Sequence, residues 1–97
     1  MDRAAVIALL KAHESELKQL GVEQLYLFGS IARDEANAHS DVDLFFDHPL
    51  GSLGIYELMD VKAAAVRNLG RRADIMTRRG LHPALRQTIE QSARRVF

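Results

Sequence analysis

The sequence predicts an α/β (α+β) fold in which one small sheet is flanked by helices. Three observations lead to this class. The 97 residues allow one hydrophobic core, and the hydrophobic spacing changes along the chain in the order helix, strand, strand, helix, strand, helix. No linker, repeat or low-complexity segment divides the chain. We therefore expect residues 1–97 to form a single domain.

The first half of the chain is predicted to contain one helix and two strands. Residues 2–20 carry an apolar stripe at helical spacing, with Asp2 placed to cap the helix and Gly21 placed to end it. Residues 25–28 are a short continuous apolar run, which is typical of a central strand buried on both faces. Residues 42–46 predict a second strand, in which acidic residues occupy alternate positions.

The second half is predicted to contain a helix, a strand and a last helix. Residues 55–69 have apolar side chains at helical spacing, and residues 72–77 predict a third strand. Pro83 is expected to open the final helix. The apolar residues that would share one face of this helix are Leu85, Ile89, Ala93 and Val96. We expect Val96 and Phe97 to lie in the core or in an interface.

Charge is balanced over the whole chain but not within it. Thirteen basic and thirteen acidic residues cancel, which argues against a protein whose main task is generic binding to nucleic acid or anionic membrane. Residues 1–50 carry four Lys or Arg and nine Asp or Glu, whereas residues 51–97 carry nine and four. The acidic half could hold cations, and the basic half could meet phosphates or an acidic partner.

Cysteine usage and hydropathy indicate the compartment. Cysteine is absent, which excludes disulfides and thiol catalysis. The apolar run near the start of the chain is too short for a signal peptide or a membrane span. We therefore expect a cytoplasmic protein that has no membrane partner and no direct nucleic-acid partner.

Acidic residues in two predicted strands form a candidate metal site. Asp41 and Asp43 alternate with Val42 and Leu44, so the carboxylates project from one face while the apolar side chains enter the core. Carboxylates this close repel each other unless a cation joins them. Hard cations such as Mg²⁺ or Mn²⁺ prefer all-oxygen sites. Asp74, in the third strand, is available as a third carboxylate.

A Gly-Ser pair directly follows the first predicted strand. Gly29 lets the backbone approach an anion, and the peptide N–H groups that follow it, with the Ser30 hydroxyl, can donate to phosphate oxygens. A triphosphate would lie between these donors and the metal ions, as nucleotidyl transfer requires. The alternatives are an ordinary strand-to-helix turn for the Gly-Ser pair and solvent-facing roles for Asp41 and Asp74.

These motifs resemble the signature of the DNA polymerase beta-like nucleotidyltransferase superfamily. The matching residues are Gly29-Ser30-x-Ala32-Arg33 and Ser40-Asp41-x-Asp43-Leu44. The short length points to the minimal nucleotidyltransferases within it. The resemblance covers nearly the whole chain, since Leu69-Gly70 precedes the Asp74 strand and a helix containing Pro ends the chain. It implies a short mixed sheet with helices packed on it.

The resemblance also implies a role for each residue of the motif. Gly29 and Ser30 would bind the nucleotide phosphates, Asp41 and Asp43 would bind two Mg²⁺ ions, with Mn²⁺ as the alternative metal, and Asp74 would be the third metal-binding carboxylate. Asp74 would also help to activate the incoming hydroxyl.

Three positions near this motif need separate comment. Arg33 would contact the phosphates or pair with Glu35. Two positions depart from the family pattern, since Ile31 stands where Arg is common and Asp34 where Gly is common. We expect fewer phosphate contacts from this loop as a result.

Minimal nucleotidyltransferases are commonly encoded with a HEPN-domain ribonuclease toxin. The resemblance therefore implies a metal-dependent antitoxin that transfers AMP from ATP to a tyrosine of that toxin partner. A domain this small is expected to lack a second lobe for the acceptor, which favours a site completed by another protein. Two alternatives remain open: a binding antitoxin that occludes the toxin without catalysis, and a nucleotidyltransferase that acts on a small-molecule alcohol. Homo- and hetero-oligomers are both compatible with the sequence.

Overall fold

The computed structural model describes residues 2–97, and a four-stranded mixed sheet lies at its centre. The strands are β1 (Gln24–Phe28), β2 (Val42–Asp47), β3 (Ala73–Thr77) and β4 (Arg94–Arg95). Their order across the sheet is β3-β2-β1-β4. β2 is antiparallel to β1 and parallel to β3, while β4 is antiparallel to β1. The predicted class and the mixed sheet are confirmed.

Five α-helices and one 3₁₀ turn accompany the sheet in residues 2–97. The helices are α1 (Arg3–Ala12), α2 (Glu14–Gln19), α3 (Gly29–Ala32), α4 (Ile55–Leu69) and α5 (Arg86–Ser92), and the 3₁₀ turn is Arg78–Gly80. None of these helices is long and apolar enough to cross a lipid bilayer.

The two faces of the sheet differ in what covers them. Alternating residues such as Leu27 and Leu44 are fully buried against α1, α2 and α4, and they form the main core. The opposite face, called here the open face, carries Tyr26, Phe28 and Asp43. β1 is therefore internal to the sheet, but only its helix face is fully buried, because Tyr26 and Phe28 stay half-buried. The prediction that β1 is buried on both faces is therefore wrong.

The first predicted helix is divided into two. Asp2 caps α1 by accepting the Ala5 N–H at 2.9 Å, as expected. The chain tightens at His13, whose N–H donates to Leu10 at 3.1 Å, and α2 then begins. The apolar stripe continues across this break, because Leu10 and Leu17 are both fully buried.

Helix α4 has the predicted bounds, and local chemistry explains both ends. The Gly54 N–H donates to the Glu57 carboxylate at 3.1 Å before the first turn. Gly70 ends the helix in the left-handed region, with φ of 67°, and its N–H donates to Val66 at 2.9 Å.

The prediction of a last helix that continues through Val96 is wrong. Helix α5 ends at Ser92, and residues 94–95 form β4 beside β1. The Val96 N–H donates to the Leu25 carbonyl at 2.8 Å, and the Leu25 N–H donates to Phe97 at 3.1 Å. Without β4, the buried strand β1 would leave these backbone groups unpaired, so the hydrogen bonds override the helical spacing. Val96 is buried and Phe97 packs against the core, as expected.

Candidate active site

The parallel register of β2 and β3 brings two predicted site residues together. Asp43 is the direct partner of Asp74 across the two strands, whose backbones are about 4.8 Å apart, so both side chains project from the open face as neighbours. Asp41 comes one residue before β2 and, by alternation, belongs to the same end of that face. The three predicted acids are therefore neighbours at one end of the sheet.

The position of Asp43 among these acids changes the pKa of its half-buried carboxyl. Burial raises the pKa of Asp43 above its usual value, and the negative charges of Asp74 and Asp41 raise it further. The positive charge of Arg33 acts in the opposite direction. A cation placed among the three carboxylates would relieve their repulsion.

Gly29 lies directly against Asp43. The antiparallel register pairs Phe28 with Asp43, so the residue that follows β1 meets the acid. A Cβ added to Gly29 would lie 2.2 Å from Asp43 Oδ2, and Gly29 has φ of 80°. Both the space and the left-handed backbone require glycine here. The peptide that opens α3 is thereby held beside the carboxylate.

The loop after Gly29 places Ser30 and Arg33 differently. Ser30 is half-buried in α3, one residue from the contact with Asp43. Arg33 Nε donates to Glu35 Oε2 at 3.0 Å, which is one of its two predicted partners. Asp34 adopts φ of 58° and pairs with Arg3 at 3.2 Å. The position that departs from the Gly pattern therefore still uses a left-handed backbone, which Asp tolerates better than most residues.

Asp41 is engaged by an arginine. Its Oδ1 lies 3.2 Å from Arg72 Nε, and the neighbouring Arg71 donates to the Ser40 carbonyl. These contacts attach the segment before β2 to the start of β3. Within residues 2–97, no three His, Cys, Asp or Glu side chains are already arranged as a metal site. Asp41 would have to leave Arg72 to join Asp43 and Asp74 around an ion.

The chemistry of the donors nevertheless fits a hard divalent cation. All three side chains offer carboxylate oxygens, and the donor set contains no sulfur or imidazole. The Gly29 backbone keeps the space beside Asp43 free of side-chain atoms. The residues that could hold such an ion are Asp41, Asp43 and Asp74.

A cavity of about 240 Å³ borders the acids on the β3 side. The residues that line it are Asp41, Lys62, Val66, Arg72, Ala73 and Asp74. Lys62 is absent from the predicted site, and its position in the middle of an exposed helix face carries no sequence signal. Only the packing of α4 beside β3 reveals it.

A larger groove, of about 1010 Å³, lies at the opposite end of the sheet. Residues at the start of β1 and the end of β2, including Gln24 and Asp47, line it with Phe97. It is remote from Asp43 and Asp74, and for this reason it takes no part in the candidate chemistry despite its size.

A second charged cluster lies at that opposite end, on the open face. Arg78 donates to both carboxylate oxygens of Asp47, at 2.7 and 2.9 Å, and to Glu90 at 2.9 Å. Its guanidinium carbon lies 5.0 Å from the ring centroids of both Tyr26 and Phe45. Here each acid has a basic partner, so this cluster is structural.

Comparisons with known proteins agree with this geometry. A model of the family described as "Nucleotidyltransferase domain" matches residues 10–96. The protein adenylyltransferase MntA of Thermococcus cleftensis is 33% identical over 85 residues, which cover 84% of this chain and 83% of the relative.

Two solved structures share the fold. One, described as a "putative minimal nucleotidyltransferase", superposes with a TM-score of 0.82 and 34% identity over 97% of this chain and 95% of its own. The other is the crystal structure of a toxin-antitoxin with AMP-PNP, with a TM-score of 0.71 and 17% identity over 90% of this chain and 72% of its own. The chain therefore belongs to the nucleotidyltransferase domain family and is a minimal nucleotidyltransferase.

Proposed function

We propose that this nucleotidyltransferase is an antitoxin that transfers AMP from ATP to a tyrosine hydroxyl of a HEPN-domain toxin. The observation that carries the proposal is the register of β2 and β3, which sets Asp43 beside Asp74, with Gly29 packed against Asp43. The MntA relative is named a protein adenylyltransferase, and one protein with this fold is a toxin-antitoxin bound to AMP-PNP. Both findings support the proposal.

The metal-binding role is proposed for Asp41, Asp43 and Asp74. Their oxygen donors suit two Mg²⁺ ions, with Mn²⁺ as the alternative. When bound, such ions supply neutralisation of the charge on the phosphates. Burial and, after it, the negative charges of Asp74 and Asp41 raise the pKa of Asp43, and the repulsion between these charges supports this role because a cation would relieve it.

The phosphate-binding role is proposed for Gly29, Ser30 and Arg33. The peptide N–H groups that follow Gly29 and the Ser30 hydroxyl would donate to the phosphate oxygens on the β1 side of the acids. Arg33 would have to exchange its ion pair with Glu35 for a phosphate, which costs little because that pair is exposed.

The acceptor hydroxyl would be activated by Asp74. Its exposed carboxylate would accept the phenolic proton while the phenol oxygen forms a bond to the α-phosphorus of ATP. The bond from that phosphorus to the bridging oxygen would break, and pyrophosphate would leave. The products are AMP-tyrosine, pyrophosphate and a protonated Asp74.

Intact-mass spectrometry of the toxin tests the proposal. With ATP and Mg²⁺, the protein should raise the mass of its HEPN toxin by one or more AMP groups. Asp43→Asn should slow transfer by at least about 100-fold, because a preorganised charged group is lost from the reacting centre. Asp47→Asn is the matched control, since Asp47 lies on the same strand and face but pairs with Arg78.

Other outcomes would favour the alternatives. Toxin that is bound and inhibited without any gain in mass, equally by Asp43→Asn, would favour occlusion. AMP transfer to an alcohol in the absence of any protein acceptor would favour the small-molecule enzyme.

A further inference from the structure

We propose that the cavity on the β3 side of the acids is the acceptor subsite, and that Lys62 selects a protein segment with an acidic residue next to the acceptor hydroxyl. This inference rests on the transfer activity proposed above. The cavity is called here the Lys62 cavity, and its lining is the set Asp41, Lys62, Val66, Arg72, Ala73 and Asp74.

The position of the Lys62 cavity follows from the direction of attack. The sheet order β3-β2-β1 puts Asp43 in the middle, with Gly29 on the β1 side and Asp74 on the β3 side. In an in-line displacement the nucleophile approaches opposite the leaving group. If the leaving pyrophosphate is held at Gly29 and Ser30, the acceptor must approach from the β3 side, where the Lys62 cavity lies.

The Lys62 cavity is also accessible to a segment of another protein. β3 is an edge strand, so no further strand of residues 2–97 lies beyond it. The volume of about 240 Å³ corresponds to roughly eight water molecules, which is the scale of one side chain. A partner segment that passes along this edge can therefore present one residue to Asp74.

The chemistry of the lining identifies that residue and its neighbour. Val66 is apolar and half-buried and suits the ring of a tyrosine, whose hydroxyl would reach Asp74, whereas Ala73 lies on the buried face of β3. Of the two basic side chains, Arg72 is paired with Asp41. Lys62 forms no ion pair with any of residues 2–97. A free ammonium at the rim of an acceptor cavity favours a carboxylate on the incoming segment.

Transfer kinetics with varied toxin concentration test the role of Lys62. Lys62→Met should raise the KM for the toxin about fivefold and leave kcat and the KM for ATP unchanged, because it removes the ammonium that attracts the acidic segment without adding a negative charge beside Asp41 and Asp74. Lys11→Met is the matched control, since it makes the same change of net charge on α1, beside the groove at the other end of the sheet. Replacing the acidic neighbours of the modified tyrosine with Ala in the toxin should raise the KM of the wild type to that of Lys62→Met and leave the KM of Lys62→Met unchanged.

The other outcomes of these measurements would overturn either the acceptor subsite alone or the proposed function with it. An unchanged KM for the toxin in Lys62→Met would overturn the acceptor subsite alone. A rise in the KM for ATP would also overturn it, because Lys62 would then act on the phosphates. Wild-type protein that binds the toxin but transfers no AMP would overturn the proposed function and, with it, this subsite.

Discussion

The two ends of the open face carry the same residue in opposite electrostatic settings. β2 places Asp43 at one end and Asp47 at the other, four residues apart on the same face. Asp47 accepts two hydrogen bonds from Arg78, whereas Asp43 faces Asp74 and Asp41. Arg78 therefore stabilises the charged form of Asp47, whereas burial and the neighbouring acids destabilise the charged form of Asp43.

The pKa shifts at the two ends separate a structural acid from a functional one. Hydrogen bonding to Asp47 raises the pKa of Arg78 above its usual value, so the guanidinium remains charged over the whole working range. At the other end, burial and like charges raise the pKa of Asp43, which opposes folding at neutral pH. Acids retained against the stability of the fold indicate a function.

Arg78 also covers aromatic side chains on the open face of the sheet. Phe45 is only 1% exposed although it lies on the open face, away from the main helices. The ring of Tyr26 stacks on it at 4.9 Å, Phe28 lies at 5.7 Å, and Arg78 covers both Phe45 and Tyr26. The end of the open face that carries Asp47 and Arg78, called here the paired end, is thus a small second core covered by the Arg78 guanidinium.

Removal of the Arg78 guanidinium tests whether the paired end stabilises the fold. Arg78→Met should lower the free energy of unfolding by about 2–3 kcal/mol, a value between those of surface and buried ion pairs, because Arg78 and Asp47 side chains are each 28% exposed. Urea unfolding followed by circular dichroism measures it. Arg79→Met is the control, since this exposed neighbour forms no ion pair with residues 2–97. Equal unfolding midpoints for the two variants would contradict a stabilising role for the paired end.

A second comparison concerns Gly29, which lies against Asp43. Gly29→Ala and Gly70→Ala both place a Cβ on a left-handed backbone, with φ of 80° and 67°. Only the first meets an atom, Asp43 Oδ2 at 2.2 Å, whereas nothing lies within 4 Å of the second. We expect Gly29→Ala to cost about 1 kcal/mol more than the strain of about 1–2 kcal/mol that both share. Unfolding curves of the two variants give the difference, and equal curves would mean that Asp43 is not held against Gly29.

The pH dependence of stability should distinguish Asp43 from Asp47, although the change in the free energy of unfolding is small. The folded pKa of Asp43 is raised, so its charged form opposes folding above that pKa, and the penalty disappears as the pH falls through it toward the ordinary value of 3.8. Asp43→Asn should therefore be more stable than the wild type at pH 7.5, by less than about 1 kcal/mol because the group is partly solvated. The gain should shrink toward pH 4.

Urea unfolding at several pH values without divalent ions measures this effect. Asp47→Asn should differ in sign at pH 7.5, since it weakens the pair with Arg78. A wild type that is more stable than Asp43→Asn at pH 7.5 would show that Asp43 has a stabilising partner after all.

Features set by neighbours in the chain could be predicted from the sequence. Asp2 caps the first helix through a residue three positions away, and Gly70 ends α4 because only glycine adopts its backbone without strain. The spacing of Asp41 and Asp43 likewise sets their common direction by strand alternation. These short-range rules also predicted the bounds of α4.

Features set by distant partners could not be predicted in the same way. The residues after Ser92 carry helical spacing, yet they form β4 because β1 offers unpaired backbone groups. Arg78 was one of many arginines in the basic half, and only its approach to Asp47, 31 residues away, makes it a structural residue. Lys62 likewise enters the site only through the packing of α4 beside β3.

The pattern within each short segment predicts that Asp41 and Asp43 share one face of a strand and that Gly29 opens the turn after β1, because alternation and turn chemistry act over a few residues. The pairing of strands brings Gly29 and Asp74 to these acids and Arg78 to Asp47. The positions of Asp74 beside Asp43 and of Arg78 beside Asp47 both follow from the parallel register of β2 and β3, which pairs residues 31 positions apart. That register depends on how whole strands bury their apolar faces in the common core, which short-range rules alone do not specify.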